Sequence, residues 1–298
     1  MSNDVNSVKE LKAKILGISE LPTLPEVVVE IIDLVQHESA SSAADVARVM
    51  NRDPVLTASV LKLANSAGYS RRGKVETLDQ ALVVLGYNVI SNLVQSFAVI
   101  QAFRDREFED DFDLDAFWDH SVGTAEISRS LAAGIGLNFS GAEFTAGLIH
   151  DIGKVILELY YHQDFSRALK ASRAGKTPLY ESERKIWGVD HTDIGAWLAD
   201  KWQLPQRLVD VIHNHHNLSA ESADPTLVAL VHIANTLAKV ADIGFSGDRV
   251  VFDLKADPAW AVLEQATPEM SSFDLARFTF ELEERVEQAR DFLRIARR

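Results

Sequence analysis

The residues of this chain best suited to chemistry are five histidines and one aspartate. His150 and Asp151 are adjacent, in the run His150-Asp151-Ile152-Gly153-Lys154, and the other four histidines are His120, His191, His215 and His216. Neutral imidazole combined with carboxylate is the ligand chemistry of Mn, Fe, Ni or Zn rather than of Ca or Mg. The sequence therefore predicts a metal centre.

The apolar stretch 144–149 precedes His150 and Asp151, so we expect this pair to be buried. A buried carboxylate without a partner costs several kcal/mol, and a metal ion is the strongest partner available. Lys154 lies three residues after Asp151 and shares its helix face. Two roles for Lys154 stay open, a local ion pair with Asp151 or a contact to a phosphate oxygen beside the metal.

The remaining histidines follow simpler expectations. His215 and His216 are adjacent and diverge by about 100° around a helix, so both reach one cleft only at a helix end. Four other histidines are predicted to lie outside the centre: His37, His162, His213 and His232. Of these, His213 is expected to face solvent.

Composition limits the possible functions. The net charge of −14 opposes broad nucleic-acid binding, which needs clustered Lys and Arg. The one dense basic patch, Arg71-Arg72-Gly73-Lys74, is interpreted as a solvated loop. No apolar run reaches the roughly 18 residues of a membrane span, the N-terminus lacks a signal-peptide pattern, and there are no cysteines. We therefore expect a cytoplasmic protein without membrane or nucleic-acid partners.

Other reaction chemistries have no support in the sequence. It contains no G-x-S-x-G elbow, no P-loop and no G-x-G-x-x-G run. Nucleophilic and dinucleotide-dependent mechanisms are accordingly not predicted.

The patterning is helical nearly throughout and predicts an all-α protein. Capping signals at Thr23, Ser42, Asp53 and Thr77 start the N-terminal helices, and Gly68 is predicted to end the third. Val250 to Phe252 is the best strand candidate and is too short to support a sheet. The later helices are predicted at roughly 113–136, 140–161, 164–174, 180–188, 190–202, 205–216, 224–242 and 272–296.

An acidic stretch, 105–115, divides the chain and is interpreted as a connector. We predict an N-terminal helical subdomain at 1–110, a metal-site helical subdomain at 111–247 and a helical extension at 248–298. The last helices are expected to pack back on the bundle, with a dimer contact as the alternative.

These residues resemble the HD superfamily of metal-dependent phosphohydrolases, and more specifically its HDOD family of bacterial signalling domains, related to the HD-GYP phosphodiesterases. The likeness runs from about Leu21 to Gly247. It rests in the N-terminal half on 21–25, 53–56, 63–67 and 81–86, and in the C-terminal half on His120, 150–154, 191–196, 202–205 and His215-His216.

The resemblance implies a two-part helical bundle and a site for one or two metal ions. His120, His150 and Asp151 match the ligands of the first ion, and Asp151 bridges to the second. His191, His215 and His216 match ligands of the second ion. Fe or Mn is the expected metal, with Ni or Zn as alternatives, and Lys154 would steady the phosphoryl group of a substrate.

Two departures from the family pattern limit what the resemblance implies. The closing aspartate of the pattern aligns with Asn235, whose neutral amide oxygen is a poorer ligand than a carboxylate. Asp242 follows on the same predicted helix face but is not expected to reach the ion. His216 is followed by Asn217-Leu218-Ser219 instead of the Gly-Tyr-Pro signature of cyclic-di-GMP hydrolases, which disfavours that activity.

Two functions remain open. The first is a regulatory protein that works through contacts with signalling proteins, with a retained, partly degenerate or empty metal site. The second is a metal-dependent phosphohydrolase acting on a nucleotide or another phosphate ester, with Asp151 and Lys154 in catalytic roles. The oligomeric state, monomer or homodimer, is left open.

Overall fold

The computed structural model describes residues 2–36, 43–66, 74–109, 112–218, 221–251 and 253–296. These residues form fifteen α-helices and one 3₁₀ helix, and the described ranges contain no strand. The all-α prediction is confirmed. The helices are α1 (Ser2–Leu16), α2 (Glu26–Gln36), α3 (Ala43–Met50), α4 (Pro54–Ala64), α5 (Leu78–Leu85), α6 (Tyr87–Phe103), α7 (Leu114–Gly134), α8 (Ala142–Ile149), α9 (Ile152–Gly175), α10 (Leu179–Trp187), α11 (His191–Lys201), α12 (Gln206–Asn214), α13 (Pro225–Val240), α14 (Pro258–Ala266), the 3₁₀ helix Pro268–Ser272 and α15 (Leu275–Ala296).

Side-chain caps start several helices where the sequence predicts them. The Asp53 carboxylate accepts the first free backbone N–H groups of α4, and Thr77 does the same for α5. Helix α1 is not predicted from the sequence. The predicted stop at Gly68 and the basic residues 71–73 lie outside the described residues.

The region around His150 differs from the prediction of one helix over 140–161. Helix α8 ends at Ile149, and α9 begins at Ile152 and runs to Gly175 with a kink at Tyr161, whose backbone angles (φ −137°, ψ 31°) are not helical. The predicted boundary near residue 161 therefore coincides with this kink. His150 and Asp151 form the junction, and Asp151 occupies the N-cap position of α9 without using its side chain as a cap. The carboxylate is therefore available for contacts across the bundle.

The centre of the protein is a group of helices, α7, α8 and α13, that pack against one another. Helix α15 packs on α7, α4 and α6, so it contacts both halves of the chain. Its Phe292 stacks on Phe97 of α6, with ring centroids 4.8 Å apart, and meets the edge of Phe144 of α8. The last helix thus packs back on the bundle. Val250 and Val251 form no strand, and Phe252 lies outside the described residues.

Within the described residues, no single helix is both long and apolar enough to cross a membrane. The pair α5 and α6 passes such a test only when taken together, and it is bent by 111°.

Candidate metal centre

Four parts of the bundle bring the predicted histidines and Asp151 together. His120 comes from α7, His150 and Asp151 from the junction between α8 and α9, and His191 is the first residue of α11. His215 follows the last residue of α12, so it and His216 leave the helix at its end. This position lets both adjacent rings face the same interior space.

Asp151 lies where two groups of side chains meet. Ligand atoms of His120, His150 and Asp151 lie within 4.8 Å of one another, and so do those of Asp151, His191, His215 and His216. The two groups share only the Asp151 carboxylate. Each of the two groups could hold a metal ion, and Asp151 belongs to both.

The histidine rings are oriented by hydrogen bonds on their Nδ1 atoms. Nδ1 of His150 lies 2.7 Å from the Gly147 carbonyl oxygen, and Nδ1 of His215 lies 3.0 Å from that of Ile212. Nδ1 of His120 lies 3.2 Å from the Ile243 carbonyl oxygen. A carbonyl oxygen only accepts hydrogen bonds, so each Nδ1 carries the proton, and in a neutral ring the lone pair is then on Nε2.

Burial keeps several of these rings neutral. It lowers the pKa of His120 to about 3 and that of His215 to about 3, with His150 and Lys154 adding to the effect at His120. Burial also holds the pKa of His216 well below 6.5. Neutral rings with free Nε2 lone pairs are the form in which histidine binds a metal ion.

His191 has a different environment because Glu183 of α10 faces it. The buried Glu183 carboxylate accepts from Nδ1 of His191 at 2.6 Å and from its backbone N–H at 3.0 Å. Burial by itself lowers the pKa of His191, but the Glu183 charge, the close contact with Asp151 and the hydrogen bond to Glu183 outweigh it and raise the pKa to about 9. Without a metal ion, the His191 ring is therefore positively charged and lies between the Glu183 and Asp151 carboxylates.

The Asp151 carboxylate is ionised and surrounded. Burial raises its pKa, but the neighbouring His150, the Lys154 charge and the close contact with the His191 ring hold that pKa well below 3.8. Lys154 Nζ donates to Asp151 Oδ2 at 2.5 Å and to the Ser246 carbonyl at 2.6 Å. Of the two roles left open for Lys154, the structure shows the ion pair with Asp151.

Four buried ligand atoms at the centre have no hydrogen-bond partner among the described residues. They are Nε2 of His150, His191 and His215 and Oδ1 of Asp151. Nε2 of His191 and of His215 lie 3.2 and 3.5 Å from Asp151 Oδ1, and Nε2 of His150 lies 3.3 Å from Asp151 Oδ2. In the neutral His215 ring the Nε2 lone pair faces Asp151 Oδ1, which is repulsive unless a cation lies between them. Two ligands of one ion bound at about 2.1 Å stand roughly 3 Å apart. The residues present therefore fit a transition-metal ion.

Asn235 of α13 completes the group around His120. Its Oδ1 lies 3.1 Å from His120 Nε2, so the side chain predicted at the closing position does face the centre. Asp242 does not: it lies beyond the end of α13, largely exposed, and pairs with Arg249. The first group is thus closed by a neutral amide.

Gly153 allows the helices that carry Asp151 and His191 to approach each other. A Cβ atom at Gly153 would lie 1.9 Å from the His191 carbonyl oxygen and 2.7 Å from the Gly195 nitrogen. No side chain fits in that space, so the glycine after Asp151-Ile152 sets the distance between α9 and α11.

The other histidines lie outside the centre but have contacts of their own. His213 is half-exposed and pairs with Asp193, and His162 pairs with Glu158. Nδ1 of His232 lies 2.7 Å from the His215 carbonyl oxygen, and its Nε2 lies 3.0 Å from Asp257. His232 therefore contacts the backbone of His215, a residue of the centre. His37 lies outside the described residues. The sequence interpretation also missed Glu183, which no local pattern marks as a partner of His191.

An all-helical bundle with a buried histidine–aspartate centre defines the class of this protein. The model of the HDOD domain family matches residues 21–218, and the chain belongs to the HDOD family. The resemblance seen in the sequence is thereby confirmed.

Two solved structures and one curated relative are similar to this chain. An HDOD domain protein of unknown function from Geobacter sulfurreducens has a TM-score of 0.81 at 24% identity, covering 98% of both chains. A Shewanella amazonensis SB2B protein named "Putative phosphohydrolase" has a TM-score of 0.70 at 26% identity, covering 97% of this chain and 98% of that one. An uncharacterized protein of Treponema pallidum is 26% identical over 76% of this chain, which spans only 43% of that relative.

Proposed function

We propose that this chain is an HDOD regulatory protein that binds a transition-metal ion in a closed internal centre and acts through contacts with other signalling proteins. The observation that carries the proposal is the convergence of unpartnered Nε2 atoms on the Asp151 carboxylate. His191, His215 and His216, with Asp151, would hold one ion. His120, His150 and Asn235 would hold a second ion less firmly, because the amide carries no charge.

The closure of the centre favours regulation over turnover. His120, His150, Asp151, His191 and His215 are at most 1% exposed, and only His216 of the histidine ligands is partly exposed. The gap beside His120 holds about 10 Å³, which is room for a single water molecule. Lys154 is occupied by Asp151 and the Ser246 carbonyl rather than directed toward a ligand.

Apolar side chains on the N-terminal half support the proposed protein contacts. Val83 of α5 is 86% exposed, and Val84 beside it and Val55 of α4 are also exposed. A soluble chain that leaves neighbouring valines on the surface of one helix has apolar area available for a partner.

A metal-dependent phosphohydrolase is the second candidate. The ligand set and the lysine beside Asp151 support it, as does the name of the Shewanella protein. A transition-metal ion would supply Lewis-acid activation of a phosphoryl group and of water. In that case the Lys154 side chain would have to exchange its two present contacts for the substrate.

Metal content and hydrolysis, measured on the same preparation, test the proposal. We expect the purified chain to carry at least one Fe or Mn ion, His191→Ala to lose it, and His213→Ala, which removes a histidine outside the centre, to keep it. We expect no metal-dependent hydrolysis of p-nitrophenyl phosphate, bis-p-nitrophenyl phosphate or nucleotides. A chain that binds no transition metal would overturn the proposal, and hydrolysis lost in both His191→Ala and Lys154→Met would replace it with the enzyme.

A further inference from the structure

A second cavity, which we call the α9 cleft, lies between the C-terminal end of α9 and the segment 245–251. Its volume is about 730 Å³, within the range of small-molecule sites. Its walls include Ser172, Arg173, Lys176 and Thr177 on one side and Phe245 and 247–251 on the other. None of the histidines of the metal centre lines it.

The charge at this cleft is positive, although the chain carries a net charge of −14. Arg173 and Lys176 are exposed and have no ion-pair partner in the described part of the chain. Arg249 pairs with Asp242, but both side chains are largely exposed, so this pair is weak. Three cationic side chains therefore border one cavity.

The only acidic residue in the lining is already neutralised. Asp248 is 8% exposed and pairs with Lys239 at 2.9 Å. Its Oδ1 also accepts the Val250 N–H, and its Oδ2 accepts the Leu179 N–H at 3.0 Å. Both oxygens are thus engaged by the protein, and Asp248 leaves the cations of the rim available to an anion.

The cleft also has an aromatic and apolar side. The Arg173 guanidinium lies 4.9 Å from the centroid of the Phe245 ring, and Val251 is 46% exposed beside Val250. Guanidinium and ammonium groups bind phosphate, and an aromatic ring with valines accepts a flat apolar group. We propose that the α9 cleft binds a nucleotide, its phosphate on Arg173 and Lys176 and its base against Phe245 and Val251.

The segment that lines the cleft also contacts the metal centre. The Ser246 carbonyl accepts from Lys154, and the Ile243 carbonyl faces His120 Nδ1. Phe245 lies between these two residues, and its N–H donates to the Ala116 carbonyl of α7 at 2.9 Å. A nucleotide bound against Phe245 would therefore contact the backbone segment whose carbonyl groups position Lys154 and His120. Binding in the cleft itself requires no metal ion and goes beyond the proposed function.

Calorimetric titration of the full chain with AMP, GMP, CMP and UMP tests the proposal. We expect saturable binding of at least one of them, weakened at least about tenfold in the double variant Arg173→Gln/Lys176→Gln. The matched control is Arg167→Gln/Lys170→Gln, which removes the same charges from exposed positions of the same helix outside the cleft. The control is expected to bind as the unmodified chain does.

Further arms separate the cleft from the metal centre. Binding should persist in His191→Ala, and the corresponding nucleoside and inorganic phosphate should each bind at least about tenfold more weakly than the nucleotide. If nucleotide binding is lost in His191→Ala but not in Arg173→Gln/Lys176→Gln, the nucleotide binds at the metal centre. That result would overturn the proposed cleft site and leave the proposed function standing. Equal loss in both double variants, binding of phosphate as tight as that of the nucleotides, or no binding of any nucleotide would also overturn it.

Discussion

The Glu183 carboxylate holds His191 by two hydrogen bonds, one to Nδ1 at 2.6 Å and one to the backbone N–H at 3.0 Å. This places a carboxylate behind a histidine whose Nε2 faces Asp151. A carboxylate in that position orients the ring and raises its basicity as a metal ligand. Glu183 is therefore a positioning residue of the candidate centre.

Replacing Glu183 by Gln tests this role. The amide keeps the shape but removes the charge, so we expect metal affinity to fall by about 10- to 100-fold, measured by competition with a chromogenic chelator. Glu181→Gln, on the same helix but outside the centre, is the control and should keep the original affinity. Unchanged affinity in Glu183→Gln with intact circular dichroism would contradict the assigned role.

Asn235 offers a change in the opposite direction. Its Oδ1 lies 3.1 Å from His120 Nε2, so Asn235→Asp would put a negative charge on the first ligand group. Two unit charges 4 Å apart attract by about 4 kcal/mol at an effective dielectric constant of 20, so we expect at least about a tenfold gain in affinity for an ion beside His120. Elemental analysis should show more metal per chain than in the unmodified protein.

Asn217→Asp is the matched control for this prediction, because Asn217 is exposed and follows the His pair. It should leave the metal content unchanged. A gain of metal in both variants would indicate an effect of net charge alone, and no gain in Asn235→Asp would show that this position does not ligate an ion.

Lys154 compensates the charge of Asp151 when no ion is bound. Lys154→Met would leave the fully buried carboxylate without its closest cation. We expect the metal-free protein to lose about 3–5 kcal/mol of unfolding free energy. Removing the Lys154 charge also favours a bound cation, so added Mn or Fe should restore much of the lost Tm. The control Lys170→Met, at an exposed position, should change neither the Tm of the metal-free protein nor its increase on metal addition. A loss of Tm that metal does not reduce would contradict this account.

Asp248 predicts a dependence of stability on pH. Burial raises the pKa of this carboxyl, but Lys239, Lys154 and the bonds from Leu179 N–H and Lys239 outweigh it and hold the pKa below 3.8. A carboxyl whose pKa is lower in the folded state contributes stability that is complete above its unfolded pKa and is lost as the pH falls through the folded pKa. Urea unfolding between pH 6 and about 2.5 should therefore show a loss of stability with acidification.

Asp248→Asn should be less stable than the unmodified chain at pH 7, because Lys239 stays buried without its counter-charge. It should then lose less additional stability below about pH 4. Asp242→Asn, which changes an exposed ion pair, should follow the unmodified chain. An identical acid loss in Asp248→Asn and the unmodified chain would assign the pH dependence to other carboxyls.

Residue type and spacing are the part of the candidate centre that the sequence itself carries. Imidazoles and a carboxylate flanked by apolar residues at helical spacing indicate buried ligands, and the capping residues mark where α4 and α5 begin. The interruption at His150-Asp151 is different, because neither residue breaks a helix by its own propensity. The junction comes with the packing of α9 on α11, which is tertiary and has no local signature.

Two other parts of the site could not be read from the sequence. Glu183 lies eight positions before His191 on a separate helix, so their contact depends on how α10 and α11 are arranged. The carbonyl groups of Ile243 and Ser246 are backbone acceptors, which every residue possesses. Their contribution to the centre depends on the path of the chain after α13 and leaves no trace in residue type.

Gly153 provides a test of that tertiary packing. Gly153→Ala would place a methyl group 1.9 Å from the His191 carbonyl oxygen, so α9 and α11 must separate. We expect a loss of at least roughly 1–3 kcal/mol of unfolding free energy in urea, together with weaker metal binding because Asp151 and His191 move apart. Gly175→Ala, near the end of the same helix, meets its nearest atom only at 3.5 Å. In that control the unfolding free energy should stay the same or rise by up to about 1 kcal/mol. Equal changes of stability and metal binding in the two variants would mean that the close approach of α9 and α11 does not determine the geometry of the centre.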